Sequence, residues 1–240
     1  MKLASRLTLN LRTRELAKLK TEYGLHERKN REALIAFLKD SEKMEGIDID
    51  EATGGLRAPP IFVAARMGDY ELFSLLRSLG SRKDIVYQGI TLYDAICGWP
   101  QSLPFFEDLD ESGQDFKKET KWGTLPMLPL VTALALEETK EEKSEKNNHA
   151  ALLEIYAFLI RKGAELDEGG SGKISPLMIA ACANSLEVVT MLKAAGADPK
   201  KRRLVAEIGK EVDCLEYYRH KTGLGEIEER GEMLDALGAG

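Results

Sequence analysis

A pattern that occurs twice, at 57–84 and again at 173–200, restricts the fold of this chain more than any other feature in it. In the later copy Ser175 is a good helix N-cap. Pro176 is a good first helical residue, because the amide that proline lacks would have no intrahelical partner there. Leu177, Ala180 and Ala181 fall on one face of the helix that follows, and the small pair lets a second helix approach closely. Asn184 suits the left-handed turn that ends this short helix. Leu186, Val189 and Leu192 then recur at helical spacing, Gly196 stops the second helix, and Asp198-Pro199 opens a turn. The earlier copy follows the same order. Pro59 and Pro60 open a helix that holds Ile61, Ala64 and Ala65, and Gly68 breaks it. Tyr70, Leu72, Phe73, Leu75, Leu76 and Leu79 form the second helix, and Gly80 closes it.

One such helix pair cannot bury its apolar face alone, so neighbouring pairs must stack on it. Weaker copies occupy the positions a stack needs. Gly89 to Ile96 reads as a degenerate first helix, and Leu128 to Ala133 as another whose second helix runs from Ala151 to Arg161. Asp213 to Tyr218 with Ile227 to Leu237 reads as a last pair. Arg31 to Lys39, followed by Gly46 to Asp50, reads as an incomplete unit at the start. Taking Pro59, Thr91, Leu128, Ser175 and Asp213 as equivalent starts gives spacings of 32, 37, 47 and 38.

The motifs Ser175-Pro176-Leu177, Ala180-Ala181, Leu186-Glu187-Val188-Val189 and Gly196-Ala197-Asp198 resemble the ankyrin repeat, and so do Ala64-Ala65, Gly68-Asp69 and Leu75-Leu76. Where that family has the histidine of its Thr-Pro-Leu-His opening, Phe62 and Met178 stand here, so the hydrogen bond usual at that turn is expected to be missing. The resemblance is clear over roughly half of the chain. Against a period of about 33, the longer spacings require insertions, placed at 99–122 and 137–149. The resemblance implies an all-α, ankyrin-like solenoid of about five to six stacked helix-turn-helix repeats with short finger loops and two insertions. As one domain it would divide into N-terminal capping helices (1–54), a repeat (55–88), a degenerate repeat with insertion (89–124), a repeat with insertion (125–170), a repeat (171–200) and a C-terminal cap (201–240).

Composition agrees and narrows the function. Hydrophobic residues make up 43% and aromatics only 7%, which leaves Leu and Ala as the main core material. The net charge of -6 argues against nucleic acid as a partner. No run is long enough to span a bilayer, since the longest, Thr124 to Leu136, is interrupted by Pro126 and Pro129. Arg6 and Arg12 exclude a secretory signal, and the basic first 20 residues read as a capping helix rather than an organelle-targeting segment. Cys97, Cys182 and Cys214 match no metal knuckle and read as reduced thiols in the cytoplasm.

Residues that invite a chemical reading do not support one. Glu168 to Lys173 resembles a phosphate loop, but Asp167 stands where the first glycine belongs and Ile174 where Ser or Thr is required. His26, His149 and His220 have no second ligand at metal spacing. Cys182 follows Ala180-Ala181 and reads as packing or groove lining. No catalytic residue, cofactor or metal site is expected.

Recognition of another protein is what the resemblance implies, through the fingers and the concave face of the first helices. On this chain those are Arg66, Tyr87, Gln88, Asp94 and Met178. The 99–122 stretch adds Trp99, Phe105, Phe106 and Trp122 among acidic residues, either as a contact surface or as aromatics that fold the insertion back onto the stack. The protein is expected to be monomeric alone and to serve as an adaptor, an inhibitor, an immunity-type protein or a secreted effector. Rival readings are an enzyme active in the irregular 85–170 region and a structural subunit of an assembly.

Overall fold

The structure is a computed structural model that describes residues 2–25, 30–51, 57–97, 103–118, 120, 142–167, 174–223 and 231–238. The described chain is mostly helical and groups into two compact units, 1–95 and 96–240. The first unit holds α1 (Lys2–Leu25), α2 (Arg31–Lys39), α3 (Ser41–Met44), α4 (Pro60–Arg66), α5 (Tyr70–Ser78) and a hairpin of β1 (Val86–Tyr87) and β2 (Ile90–Thr91). Helix α6 (Leu92–Cys97) contains the division. The second unit follows with α7 (Leu103–Glu111), α8 (Glu142–Arg161), α9 (Pro176–Cys182), α10 (Leu186–Ala194), a hairpin of β3 (Arg203–Val205) and β4 (Lys210–Val212), α11 (Cys214–Thr222) and α12 (Gly231–Leu237).

The helix pairs form as their residues dictate. In α4 and α9 proline sits at the start, and Ala64-Ala65 and Ala180-Ala181 are fully buried where α5 and α10 close on them. Gly68 and Asn184 both take the left-handed conformation between the paired helices, at φ 62° and 52°. Ser175 Oγ accepts from the Met178 amide (3.2 Å), and Asp69 accepts from the Leu72 amide (3.1 Å), so each opening turn has a partner for an otherwise orphaned N–H. In the first unit Lys20 reaches from α1 to the Ala58 carbonyl (2.6 Å), just ahead of α4. That lysine is buried, not on the outer face of a cap. Burial pushes its ammonium down to about 8, with Glu51 opposing.

Each second helix ends two residues before a glycine in the left-handed conformation: α5 at Gly80, α7 at Gly113, α8 at Gly163 and α10 at Gly196. The next amide turns back to the last turn of the helix, from Ser81 to Leu76, Gln114 to Leu109, Ala164 to Leu159 and Ala197 to Leu192, at 2.9–3.0 Å. This is the Schellman closure that glycine permits. Gly80 to Gly113 is 33 residues and Gly163 to Gly196 is 33, whereas Gly113 to Gly163 is 50.

This ladder corrects the expected insertion at 99–122. Residues 103–111 are not inserted. They are the second helix of their repeat, in phase with the glycines on either side. Phe105, Phe106 and Leu109 recur at helical spacing and are buried, which leaves the acids between them outward. The extra length lies between Gly113 and Gly163, where α8 begins at Glu142, eleven residues ahead of the 153–161 stretch that corresponds to the other second helices. There Phe116 meets Phe158 edge-on (5.5 Å) and Lys162 pairs with Asp110 (2.6 Å). The opening helix expected at 128–133 and the glycine finger at 168–173 lie outside the described residues.

Candidate protein-interaction surface

The fingers are the segments that follow the closing glycines, and two of them, after Gly80 and after Gly196, are anchored at the base to the finger before. Asp50, four residues after Gly46, accepts from the Arg82 amide (3.0 Å), the Arg82 side chain (3.0 Å) and the Ser81 hydroxyl (2.5 Å). Asp167, four residues after Gly163, accepts from the Asp198 amide (3.2 Å). The donor is in both cases the second residue after the next closing glycine. An acid at that second position also caps its own turn, as Asp48, Asp115 and Asp198 each accept from the amide two residues on.

In the first unit's finger β1 and β2 pair antiparallel, Val86 with Thr91 and Tyr87 with Ile90. Gln88 (φ 51°) and Gly89 (φ 71°) make the turn, and both positive angles are what a two-residue hairpin of this twist demands. Tyr87 leans on Phe62 with ring centres 5.8 Å apart. Ile85 is buried and Val86 beside it is 58% exposed, as alternation along a strand requires.

In the second unit's finger Arg203, Leu204 and Val205 pair with Val212, Glu211 and Lys210. Ile208 and Gly209 close the loop by donating to the Val205 carbonyl (3.1 and 2.9 Å). Side chains hold the hairpin to α11: Arg202 pairs with Glu216 (2.9 Å) and donates to the Glu211 carbonyl (2.7 Å), and Lys221 pairs with Glu207 (3.2 Å). Leu204 is 50% exposed.

The expected contact residues divide sharply. Gln88 is exposed at a hairpin tip beside half-buried Tyr87, and Arg66 is exposed at the end of α4. Met178, Phe105, Phe106 and Asp94 are buried. Met178 is buried with all of 176–181, because so short a helix is enclosed on every side. Phe105 and Phe106 are fully buried. Asp94 is also buried. It accepts from the Thr91 amide and hydroxyl (2.7 Å each) while its own amide donates back to Thr91 (3.0 Å), so it caps α6. Glu216 does the same for Asp213 on α11. Two helices thus recover the turn hydrogen bond that Phe62 and Met178 cannot make. Trp99 and Trp122 lie outside the described residues.

Sequence reasoning missed Val86 and Leu204. The signal for Val86 was present in 85–89, where the apolar, strand-favouring run Ile85-Val86-Tyr87 meets a Gln-Gly turn. Burial pushes the Cys214 thiol up to about 12, with Cys182 and Asp213 adding to it, so it stays protonated. Among the described residues no group of three His, Cys, Asp or Glu could hold a metal ion, and no helix is long and apolar enough to cross a membrane.

The family described as Ankyrin repeat matches residues 173–203. No curated protein matches the chain. Among solved structures, the crystal structure of the human ASB11 ankyrin repeat domain is similar, with a TM-score of 0.52 and 18% identity over 80% of this chain and 73% of that one. Ankyrin repeats generally mediate protein–protein interaction, as scaffolds rather than enzymes. With one ankyrin repeat matched in sequence at 173–203 and the fold matched over most of its length, the chain has an all-α, ankyrin-like solenoid fold.

Proposed function

We propose that the protein binds one specific protein partner through its finger hairpins, as an adaptor or inhibitor. The observation that carries this reading is the pair of outward apolar side chains, Val86 and Leu204, on hairpins whose bases are fixed by Asp50 and Asp167. An isolated exposed leucine on a smooth surface would mean little. Held out on an anchored hairpin, it can dock with little loss of conformational freedom. Cys97, Cys182 and Cys214 form no disulfide, which suits a reducing compartment, and we place the protein in the cytoplasm on that ground.

The test is affinity purification from the native cell with wild type and the Val86→Asp/Leu204→Asp variant, with stoichiometry measured by light scattering. One companion at a fixed ratio, lost with the variant, would support the reading. A companion retained by the folded variant would move the site off the fingers, and no companion at all would sink the binding role.

A further inference from the structure

Resting on that reading, we propose that the first unit's finger takes its partner by strand addition, an extended segment of the partner protein pairing backbone to backbone with the open edge of β1 at Val86. Opposite residues of an antiparallel ladder alternate. One pair exchanges backbone hydrogen bonds, and the next points its amides and carbonyls outward. Val86 stands opposite Thr91. The Thr91 amide donates to the Asp94 carboxylate (2.7 Å) and not across the ladder, so this is the outward pair. The amide and carbonyl of Val86 therefore face away from β2. Among the described residues no hydrogen bond reaches either of them.

The other finger edges are closed or guarded. Asp94 occupies the Thr91 amide on β2, and Arg202 donates to the Glu211 carbonyl (2.7 Å) on β4. β3 carries Arg203 and follows Lys200, Lys201 and Arg202, and charges of that kind keep extended chains off an edge. β1 has neither device. Ile85-Val86-Tyr87 holds no charge and no proline, and its residues favour strand pairing. A donor and an acceptor on one edge suit an extended segment, whose own backbone groups are unpaired, and not a helix, whose groups are bonded internally. The strand is already ordered. Ile85 is buried, Tyr87 leans on Phe62 and the Arg82 amide is fixed by Asp50. Every second side chain of an added strand lies on the exposed face of Val86, so the segment carries apolar residues at alternate positions.

The probe is a display library of random 12-residue peptides selected on the full-length chain. Selected peptides should show apolar residues at alternate positions. Single N-methyl groups placed along a synthetic copy should weaken binding strongly at alternate amides and little at those between. Val86→Pro removes the outward amide and spares the ladder, a position where an edge strand accepts proline. It should bind at least about tenfold more weakly, and Val86→Thr, which keeps the amide, within about threefold of wild type. Thermal unfolding at the wild-type temperature would show that both variants keep the fold, and should Val86→Pro unfold, the N-methyl series decides by itself. Binders lost on Val86→Asp/Leu204→Asp but without alternation in that series, or kept by folded Val86→Pro, would overturn strand addition and leave the finger reading standing. Binders indifferent to Val86→Asp/Leu204→Asp, or a library yielding none, would overturn both.

Discussion

Arg31 grips Asp69 with both edges of its guanidinium, Nε donating to Oδ2 at 2.6 Å and Nη2 to Oδ1 at 2.9 Å. The same carboxylate accepts from the Tyr23 hydroxyl (2.9 Å) and the Leu72 amide (3.1 Å). One buried aspartate thus caps α5 and ties α1 and α2 to it. Arg31→Ala leaves that carboxylate buried without its cation and should cost about 3 kcal/mol. Chemical denaturation measures it. A loss under about 0.5 kcal/mol would show that water replaces the guanidinium freely.

The same contact sets an acid limit. Burial alone would raise the Asp69 carboxyl, but the hydrogen bonds from Arg31, the Leu72 amide and Tyr23 outweigh it and hold the group at about 2, against an ordinary 3.8. The folded value lies below the unfolded one, so the stabilisation is complete above about pH 4 and is lost as the pH falls through about 2. Circular dichroism over an acid titration should show stability falling in that window. Arg31→Ala should begin to unfold at higher pH than wild type, and coincident curves would contradict the assignment.

Gly113 has open space around its α-carbon, so the cost of Gly113→Ala is one of backbone conformation at φ 82°, about 1 kcal/mol. At Gly163 an added methyl also meets Lys117 Cε at 3.0 Å, and Gly163→Ala should cost at least as much. Thermal unfolding of the two variants decides the matter, with a neutral Gly113→Ala showing that the turn can relax.

Phe105→Ala should destabilise by about 3–5 kcal/mol, because it empties a fully enclosed volume between helices. Val86→Asp should change stability by no more than about 0.5 kcal/mol. Urea melts of both compare core with surface directly, and the reverse order would return the phenylalanine to the interface.

Asp50→Ala removes the acceptor for the Ser81 hydroxyl and the Arg82 amide together. Hydrogen exchange at the Arg82 amide should quicken by about tenfold or more, while exchange in α4 stays as in wild type. Unchanged exchange at Arg82 would show that the finger base is held by other contacts.

Much of the scaffold was legible because a few residues each permit only one local geometry. Pro176, Ala180-Ala181 and Gly196 announce a repeat by themselves, and Pro60, Ala64-Ala65 and Gly80 do so again. The repeat length was harder to read, because counting from helix starts includes the fingers, and these differ: β1–β2 turns on two residues, β3–β4 on four. Phe105 and Phe106 misled because aromatics among acids look like a surface, although their spacing with Leu109 is that of an amphipathic helix. Met178 misled for another reason. Which side of a seven-residue helix meets solvent depends on the neighbours packed around it, and no spacing within the helix records that.

The 50-residue interval between Gly113 and Gly163, beside the 33 from Gly163 to Gly196, has a mechanical consequence. Repeats of this kind unravel one at a time when a chain is pulled from its ends. Paid out as extended polypeptide, a 33-residue repeat yields about 115 Å of thread and the 50-residue one about 170 Å. The long step would mark in a force trace the moment at which that repeat gives way.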